Sequence, residues 1–323
     1  MNPLISIIIC TANRAESLRE TLAAIGHCAV PADLPPELLV VDNASSDHTP
    51  QVARDASLPN MPVRYVREPR RGKGYAYNTG MAQANGEILL FTDDDVRPPV
   101  NWIDGMCRPI ASGQADAIAG GVQIAKHLLR PWMENYHRRW FAASENLAQT
   151  FVEGLVGANM AFSRKVLAKV PEFDIELGPG ALGFGDDSLF GIQIVKAGYR
   201  MIGAPDIRVE HHFDPGRLNR ASLLRIAEAG GRSSAYIAYH WRHRDPLFPA
   251  VRLLRARLAR FLHSCWATKH EDSASERDML HAGRVAYWKM FLSERRRARN
   301  YPREGLVKIS RQAEPIGALE SVS

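Results

Sequence analysis

Residues 88–95 read Ile-Leu-Leu-Phe-Thr-Asp-Asp-Asp, an apolar run that ends in three consecutive acids. Four apolar residues in a row predict a strand buried on both faces, which leaves Asp93, Asp94 and Asp95 at its C-terminal end. Adjacent carboxylates raise one another's pKa unless a cation or strong donors hold them ionised. Oxygen ligands at the mouth of a sheet suit Mg²⁺ or Mn²⁺, which usually bridge one or two carboxylates to a substrate's phosphates. An acidic loop capping the next helix would look the same, because Asp is common where strands give way to turns. On these eight residues alone both readings stand.

Upstream, residues 5–10 form another apolar, β-branched run followed by Thr11, Asn13 and Arg14, and residues 16–25 take up helical spacing. Residues 38–41 repeat the strand signal and stop at Asp42 and Asn43, after which residues 45–49 offer N-caps for a helix over 51–56. A third strand at 63–66 and a helix over 78–84 precede the acid-ended strand. Strands alternating with helices predict right-handed crossovers, a mostly parallel α/β sheet flanked by helices, and a ligand site at the strands' C-terminal ends. Downstream the pattern predicts a helix over 102–110, a strand over 117–124, an amphipathic aromatic stretch over 128–149, a strand over 157–162 and a helix over 164–170. A glycine-rich loop at 178–185 then leads into Asp186, Asp187 and a helix over 188–197. The last strand signal ends at His211 and His212, and the remainder reads as helical.

With 323 residues, 46% hydrophobic and 24% charged, the chain has the composition of an ordinary globular protein with a sizeable core. No run approaches the roughly 18 apolar residues of a membrane span, and residues 1–10 lack the basic start of a signal peptide, so a cytoplasmic location is expected. Cys10, Cys28, Cys107 and Cys265 lie far apart, which fits neither a disulfide framework nor a thiolate zinc site. Residues 1–215 carry 20 Lys and Arg against 25 Asp and Glu, whereas residues 216–300 carry 18 against 7. That split predicts three segments: a catalytic domain over 1–215, a basic helical extension over 216–300 and a loose tail over 301–323. Residues 249–267 place Val251, Leu254, Leu258, Phe261 and Leu262 on one helical stripe, with Arg252, Arg255, Arg257 and Arg260 largely around the other side. Such a helix either packs on the domain or lies in an anionic membrane interface.

Two acidic clusters, at 93–95 and 186–187, adjoin structural transitions, so one can hold a metal while the other takes a proton. A carboxylate opening a helix is favoured by the helix dipole, and N-capping alone accounts for it equally well. Of the two histidines, His211 continues the alternation of Ile207 and Val209 and is the one expected to face the acids. Arg67, Arg70, Arg71 and Lys73 cluster among glycines in a loop that offers a phosphate contact or a solvated basic surface. The loop matches neither a Walker motif nor a dinucleotide fingerprint.

Taken in order, SIIICTANR (6–14 at its core), VVDNASSDHT, GKGYAYNTGMAQANGEILLFTDDDV, GANMAFSRKVL and GFGDDSLFGIQIVKAGYR with the trailing His pair resemble family 2 glycosyltransferases of the GT-A fold, from residue 5 to about 213. The resemblance implies an inverting transfer of a sugar from a nucleoside diphosphate to an acceptor hydroxyl. It also implies roles. Thr11, Asn13, Arg14, Asp42, Lys73, Asn78, Asp93 and Asp94 would bind the donor, and Asp95 with Asp93 and His211 would hold Mg²⁺ or Mn²⁺. Asp187 would be the catalytic base. Gly157, Ala158, Asn159, Gly185 and Asp186 would surround the sugar and acceptor, Asp186 standing where the family usually has Glu. The expected partners are a nucleoside-diphosphate sugar, UDP-linked before others, a saccharide or lipid-linked acceptor, and an anionic membrane surface; no nucleic acid is expected. The pathway so implied is cell-surface polysaccharide or glycolipid synthesis. Two other readings share parts of this pattern: nucleotidyl transfer, which normally brings a glycine-rich loop after the first strand that CTANRAES lacks, and an inactive basic binding protein, which has no use for Asp187.

Overall fold

The computed structural model describes residues 4–144, 154–266 and 272–309. Parts of the expected aromatic stretch (145–149), of the basic helix (267) and of the expected tail (310–323) lie outside them. In chain order the elements are β1 (Ile5–Thr11), α1 (Ala15–Gly26), β2 (Pro36–Asn43), α2 (Thr49–Asp55), β3 (Val63–Glu68), α3 (Lys73–Gln83), β4 (Ile88–Asp93), the two-residue β5 (Val96–Arg97), α4 (Trp102–Ala111), β6 (Ala117–Ile124), α5 (Asn135–Arg139), β7 (Asn159–Ser163), α6 (Asp186–Lys196), β8 (Met201–His211), α7 (Arg220–Tyr236), α8 (Pro249–Trp266) and α9 (Glu276–Glu294).

The strands form one sheet in the order β3-β2-β1-β4-β7-β6-β8-β5. The first four are parallel. β7 runs antiparallel to β4 and β6, β8 runs parallel to β6, and β5 closes the edge antiparallel to β8. β1 and β2 are buried throughout because helices cover both faces of the sheet. Ile5, Ile7 and Ile9 pack with Leu18 and Leu22 of α1 and Trp102 and Met106 of α4, while Ile8 and Cys10 pack on the opposite face with Tyr77 of α3 and Phe190 of α6. Each buried aliphatic chain contributes roughly 1.5–3 kcal/mol, and a slip of one residue would invert both faces, so the register is fixed. In that register Thr11 stands opposite Asp42 and Cys10 opposite Asp93. Three strands thus end at one edge, with β1 between neighbours whose connections run in opposite directions, where open α/β sheets take ligands.

The chain departs from the sequence expectation at several boundaries. β7 begins at Asn159, so Gly157 and Ala158 belong to the turn before it, and residues 164–168 form a 3-10 turn instead of a longer helix. α3 begins at Lys73, so the basic loop ends in a helix start. β8 begins at Met201, six residues before its alternating pattern becomes visible, and shifts register against β6 between Gly120 and Gly121. The C-terminal helices attach through Phe141, Phe213, Leu223 and Met279, and Arg220 of α7 ties Asp278 of α9 at 2.8 and 3.0 Å. Residues 301–309 are not a loose tail: Tyr301 is buried and Lys308 reaches Asp174 and Glu176, two carboxylates that need a cation at that depth.

Candidate active site

Each acid of the triplet takes a different partner. Asp93 Oδ1 accepts from Lys73 Nζ at 2.5 Å. Asp94 accepts from Thr11 Oγ1 at 2.6 Å and from Arg14 Nη1 at 2.9 Å, while its carbonyl takes the hydroxyls of Ser17 and Thr21. Asp95 Oδ2 accepts from Arg14 at 2.5 Å, and its Oδ1 lies 3.2 Å from Nε2 of the buried His211. Burial, reinforced by the Asp95 charge, pushes Asp94 up to about 6 even though Arg14 opposes the shift. Burial would raise Asp95 as well, but His211 and Arg14 together hold its carboxyl well below the usual range. Burial works against the charged form of His211, yet the facing Asp95 raises its pKa.

One contact in this group differs from the rest. His211 Nδ1 faces the Phe141 carbonyl at 2.9 Å and so carries a hydrogen. Nε2 faces the buried Asp95 Oδ1, which among the described residues has no partner besides this imidazole. The raised pKa of His211 favours a proton between the two, and a divalent cation would take that proton's place, since an oxygen–imidazole pair suits one. The three-ligand set expected from the sequence is narrower here: Asp93 is turned to Lys73, and among the described residues no group of three His, Cys, Asp or Glu side chains is arranged to hold an ion. Asp95 and His211 would supply two ligands to such an ion.

The edge around β1 and β2 is knitted between loops. Asn13, at φ 55°, accepts from Ser46 N–H at 2.7 Å and donates its own N–H to Ser45 Oγ at 2.9 Å. Asp42 accepts from Ser45 N–H at 3.0 Å and from Tyr65 Oη at 2.9 Å. Asn43, which the sequence reading passed over, accepts from Gly72 N–H at 2.8 Å and donates to the Arg70 carbonyl, so it anchors the basic loop; its place directly after Asp42 at a strand end was the available signal. A cleft of about 700 Å³ opens beside Arg14, Ser17, His127 and His212.

The second acidic pair converges on the same edge from the other side. Asp187 Oδ2 accepts from the Gly157 N–H at 2.8 Å, and its Oδ1 takes the Ser188 N–H at 2.6 Å. A Cβ built on Gly157 would lie 2.6 Å from Tyr77 Oη and 3.4 Å from both Asp187 Oδ2 and Lys73 Nζ. Lys73, bound to Asp93, and Asp187 therefore line one small space. Asp187 is partly exposed while Asp186 is buried behind Gly178. Burial and the neighbouring Asp187 push Asp186 up to about 7, against the pull of Lys73. Solvent access favours Asp187 for a proton from outside.

Two expected contacts stand elsewhere. Asn78 clasps the Phe173 N–H and carbonyl at 2.8 and 3.0 Å. Asn159 is fully buried, accepting from Trp102 Nε1 and donating to the carbonyls of Gly121 and Ile207, so it pins β6, β7, β8 and α4 together. Both amides are engaged in hydrogen bonds of the scaffold. The Ala158 carbonyl accepts from Thr92 Oγ1 at 2.8 Å. Gly185, at φ 88°, supplies the left-handed turn into α6. The Gly178–185 loop itself is braced from below: Asp174 receives Lys308 at 2.5 Å and Tyr236 at 2.8 Å, and Glu176 receives Arg297 at 2.5 Å and Lys308 at 2.9 Å.

Residues 6–170 match the family described as Glycosyl transferase family 2. A 124-residue stretch is 33% identical to Glycosyltransferase AglE of Haloferax volcanii, covering 38% of this chain and 40% of that protein. Over 209 residues the chain is 25% identical to Probable glycosyltransferase YdaM of Bacillus subtilis, covering 62% and 48%. The chain thus spans less than half the length of either relative. Its fold is similar to that of mannosyltransferase PcManGT from Pyrobaculum calidifontis, solved in complex with GDP-Man and Mn²⁺, with a TM-score of 0.57 and 23% identity over 90% of this chain and 88% of that one. A mixed sheet with acids at the carboxyl edge of its parallel strands, a family match over 6–170 and a shared architecture agree: the chain belongs to glycosyl transferase family 2 and has the GT-A fold.

Proposed function

We propose that the protein is an inverting, divalent-metal-dependent glycosyltransferase that moves a sugar from a nucleoside diphosphate, UDP before others, to a hydroxyl of a saccharide or lipid-linked acceptor at the cytoplasmic face of a membrane, in cell-surface polysaccharide or glycolipid synthesis. The observation that carries this reading is the buried pair of Asp95 Oδ1 and His211 Nε2, 3.2 Å apart on the same sheet edge as Asp187. Mg²⁺ or Mn²⁺ on Asp95 and His211 would offset the charge that builds on the departing diphosphate. Arg14 and Lys73 add positive charge on the leaving-group side, and Thr11, Asn13 and Asp42 shape the nucleotide loops. Asp187, held in place by the Gly157 N–H, takes the proton of the acceptor hydroxyl as the new C–O bond forms at the anomeric carbon and the bond to the diphosphate breaks. A single displacement of this kind inverts the anomeric centre.

The test is thermal-shift titration of UDP-, GDP- and TDP-sugars with and without Mn²⁺, followed by a transfer assay with the donor that stabilises the fold. One donor class should raise Tm only when Mn²⁺ is present. Asp187→Asn should keep that shift and lose about 10²–10⁴-fold in kcat, the usual range for a general base. Full transfer by Asp187→Asn removes the base assignment, and indifference to every metal and nucleotide removes the reaction class.

A further inference from the structure

α8 is turned inside out. Its 18 residues hold four Arg and no acid, and only Pro249 and Ala256 are buried. Successive helical residues lie about 100° apart, so Val251, Leu254, Phe261, Leu262 and Cys265 all fall within about 60° of Leu258. That apolar arc faces solvent: Leu254 is 67% exposed, Phe261 63% and Leu258 55%. The opposite side, with Ala256, Arg260 and His263, faces the protein, where Arg260 meets Glu228 and His263 meets Asp278, each at 3.1 Å. A helix that packs on a domain shows the reverse orientation. Leu247 and Phe248, 73% and 72% exposed, extend the ridge at the helix start. Arg255 and Arg257 border the arc on its two sides, and Arg242 and Arg244 are exposed just upstream.

We infer that this ridge is a docking surface for an anionic phospholipid bilayer, the apolar arc entering the headgroup–acyl boundary while Arg255 and Arg257 engage the headgroups. An apolar face flanked by cations is the pattern of helices lying in the interface plane. A second copy of the chain fits less well, because a twofold pairing of this face would bring its bordering arginines together with no acid on either helix. Docking orients the molecule on the surface where a lipid-linked acceptor would be found. The inference deepens the proposed membrane placement, but binding is read without donor, metal or turnover, so it fails or holds separately from the reaction.

The experiment is co-sedimentation of the full chain with vesicles of phosphatidylcholine alone and of phosphatidylcholine with phosphatidylglycerol. Wild type should sediment with the anionic vesicles and be released as salt is raised. Leu258→Glu with Phe261→Glu should weaken binding by at least about tenfold at all salt concentrations, since both apolar anchors are lost. Arg255→Glu with Arg257→Glu should weaken it most at low salt. All four side chains are exposed, so both variants should melt with the wild type. Failure of the wild type to sediment overturns the inference, as does unchanged sedimentation of the ridge variant. A wild-type dimer that Leu258→Glu converts to a monomer, without vesicle binding, overturns it in favour of self-association.

Discussion

Gly157 is the residue on which the two halves of the site meet. Its N–H holds Asp187, and the space above its Cα is already occupied by Tyr77 Oη, whose ring is buried against Phe91 and Phe173 with centroids at 5.1 and 4.7 Å. Gly157→Ala must therefore move a packed ring or the turn itself, which costs about 1–3 kcal/mol and displaces Asp187. Tyr77 Oη is itself buried without a partner, so Tyr77→Phe removes a desolvated hydroxyl and should leave stability unchanged or slightly raised. Combining the two changes should recover part of the loss, because the colliding atom is gone. A double-mutant cycle by urea denaturation measures the coupling, and additive losses would show that the contact at 2.6 Å does not govern the site. Nothing in the local sequence Gly157-Ala158-Asn159 shows this. Glycine is legible as a turn residue, whereas its reason, a tyrosine 80 positions earlier, is tertiary.

At the scale of elements, what was legible follows from burial on both faces. β1, β2, β4 and β6 read as strands because each is a nearly unbroken apolar run, and their acids were placed at the right edge because the strands end together. β5, with two residues, has no period to detect, and the start of β8 is masked by Gly203, Ala204 and Pro205. α7 is the instructive case, since Gly230 and Gly231 are unfavourable in a helix interior by propensity. Both are required by packing: a Cβ on Gly230 would strike the Trp140 ring at 2.4 Å, and one on Gly231 would strike the Gly283 carbonyl of α9 at 2.2 Å. In an open helix Gly231→Ala would stabilise by roughly 0.5–1 kcal/mol; here it should destabilise by about 2 kcal/mol or more by forcing α7 and α9 apart. Chemical denaturation gives the sign directly, and a stabilised variant would mean that the helices are not in backbone contact.

For the molecule as a whole, the C-terminal segment reaches back across 132 and 134 positions to brace the loop that delivers Asp186 and Asp187. Lys308 and Arg297 neutralise Asp174 and Glu176, just ahead of the Gly178–185 loop, and the Lys73 N–H bonds the Pro179 carbonyl within it at 2.9 Å. The expected loose tail missed this because the partners of Lys308 lie far away in sequence and only the fold joins them. Burial alone would raise Glu176, but Lys308 and Arg297 lower it from 4.5 to about 2. A carboxylate depressed on folding stabilises the native state fully above its unfolded pKa, and that contribution drains away as pH falls from about 4.5 toward 2. Half-burial and solvent screening limit it to about 1–2 kcal/mol. Lys308→Met should cost about 3 kcal/mol by stranding Asp174 and should flatten the acid side of the stability curve. It should also lower kcat more than it raises donor KM, because the loop that loosens leads directly into Asp187, proposed above as the base, whereas the Asn13 and Asp42 loops lie outside it. Lys308→Arg should restore most of both. Equal losses in kcat and in donor affinity, or an acid limb as steep as in the wild type, would make Lys308 an ordinary surface residue instead of the brace of the Gly178–185 loop.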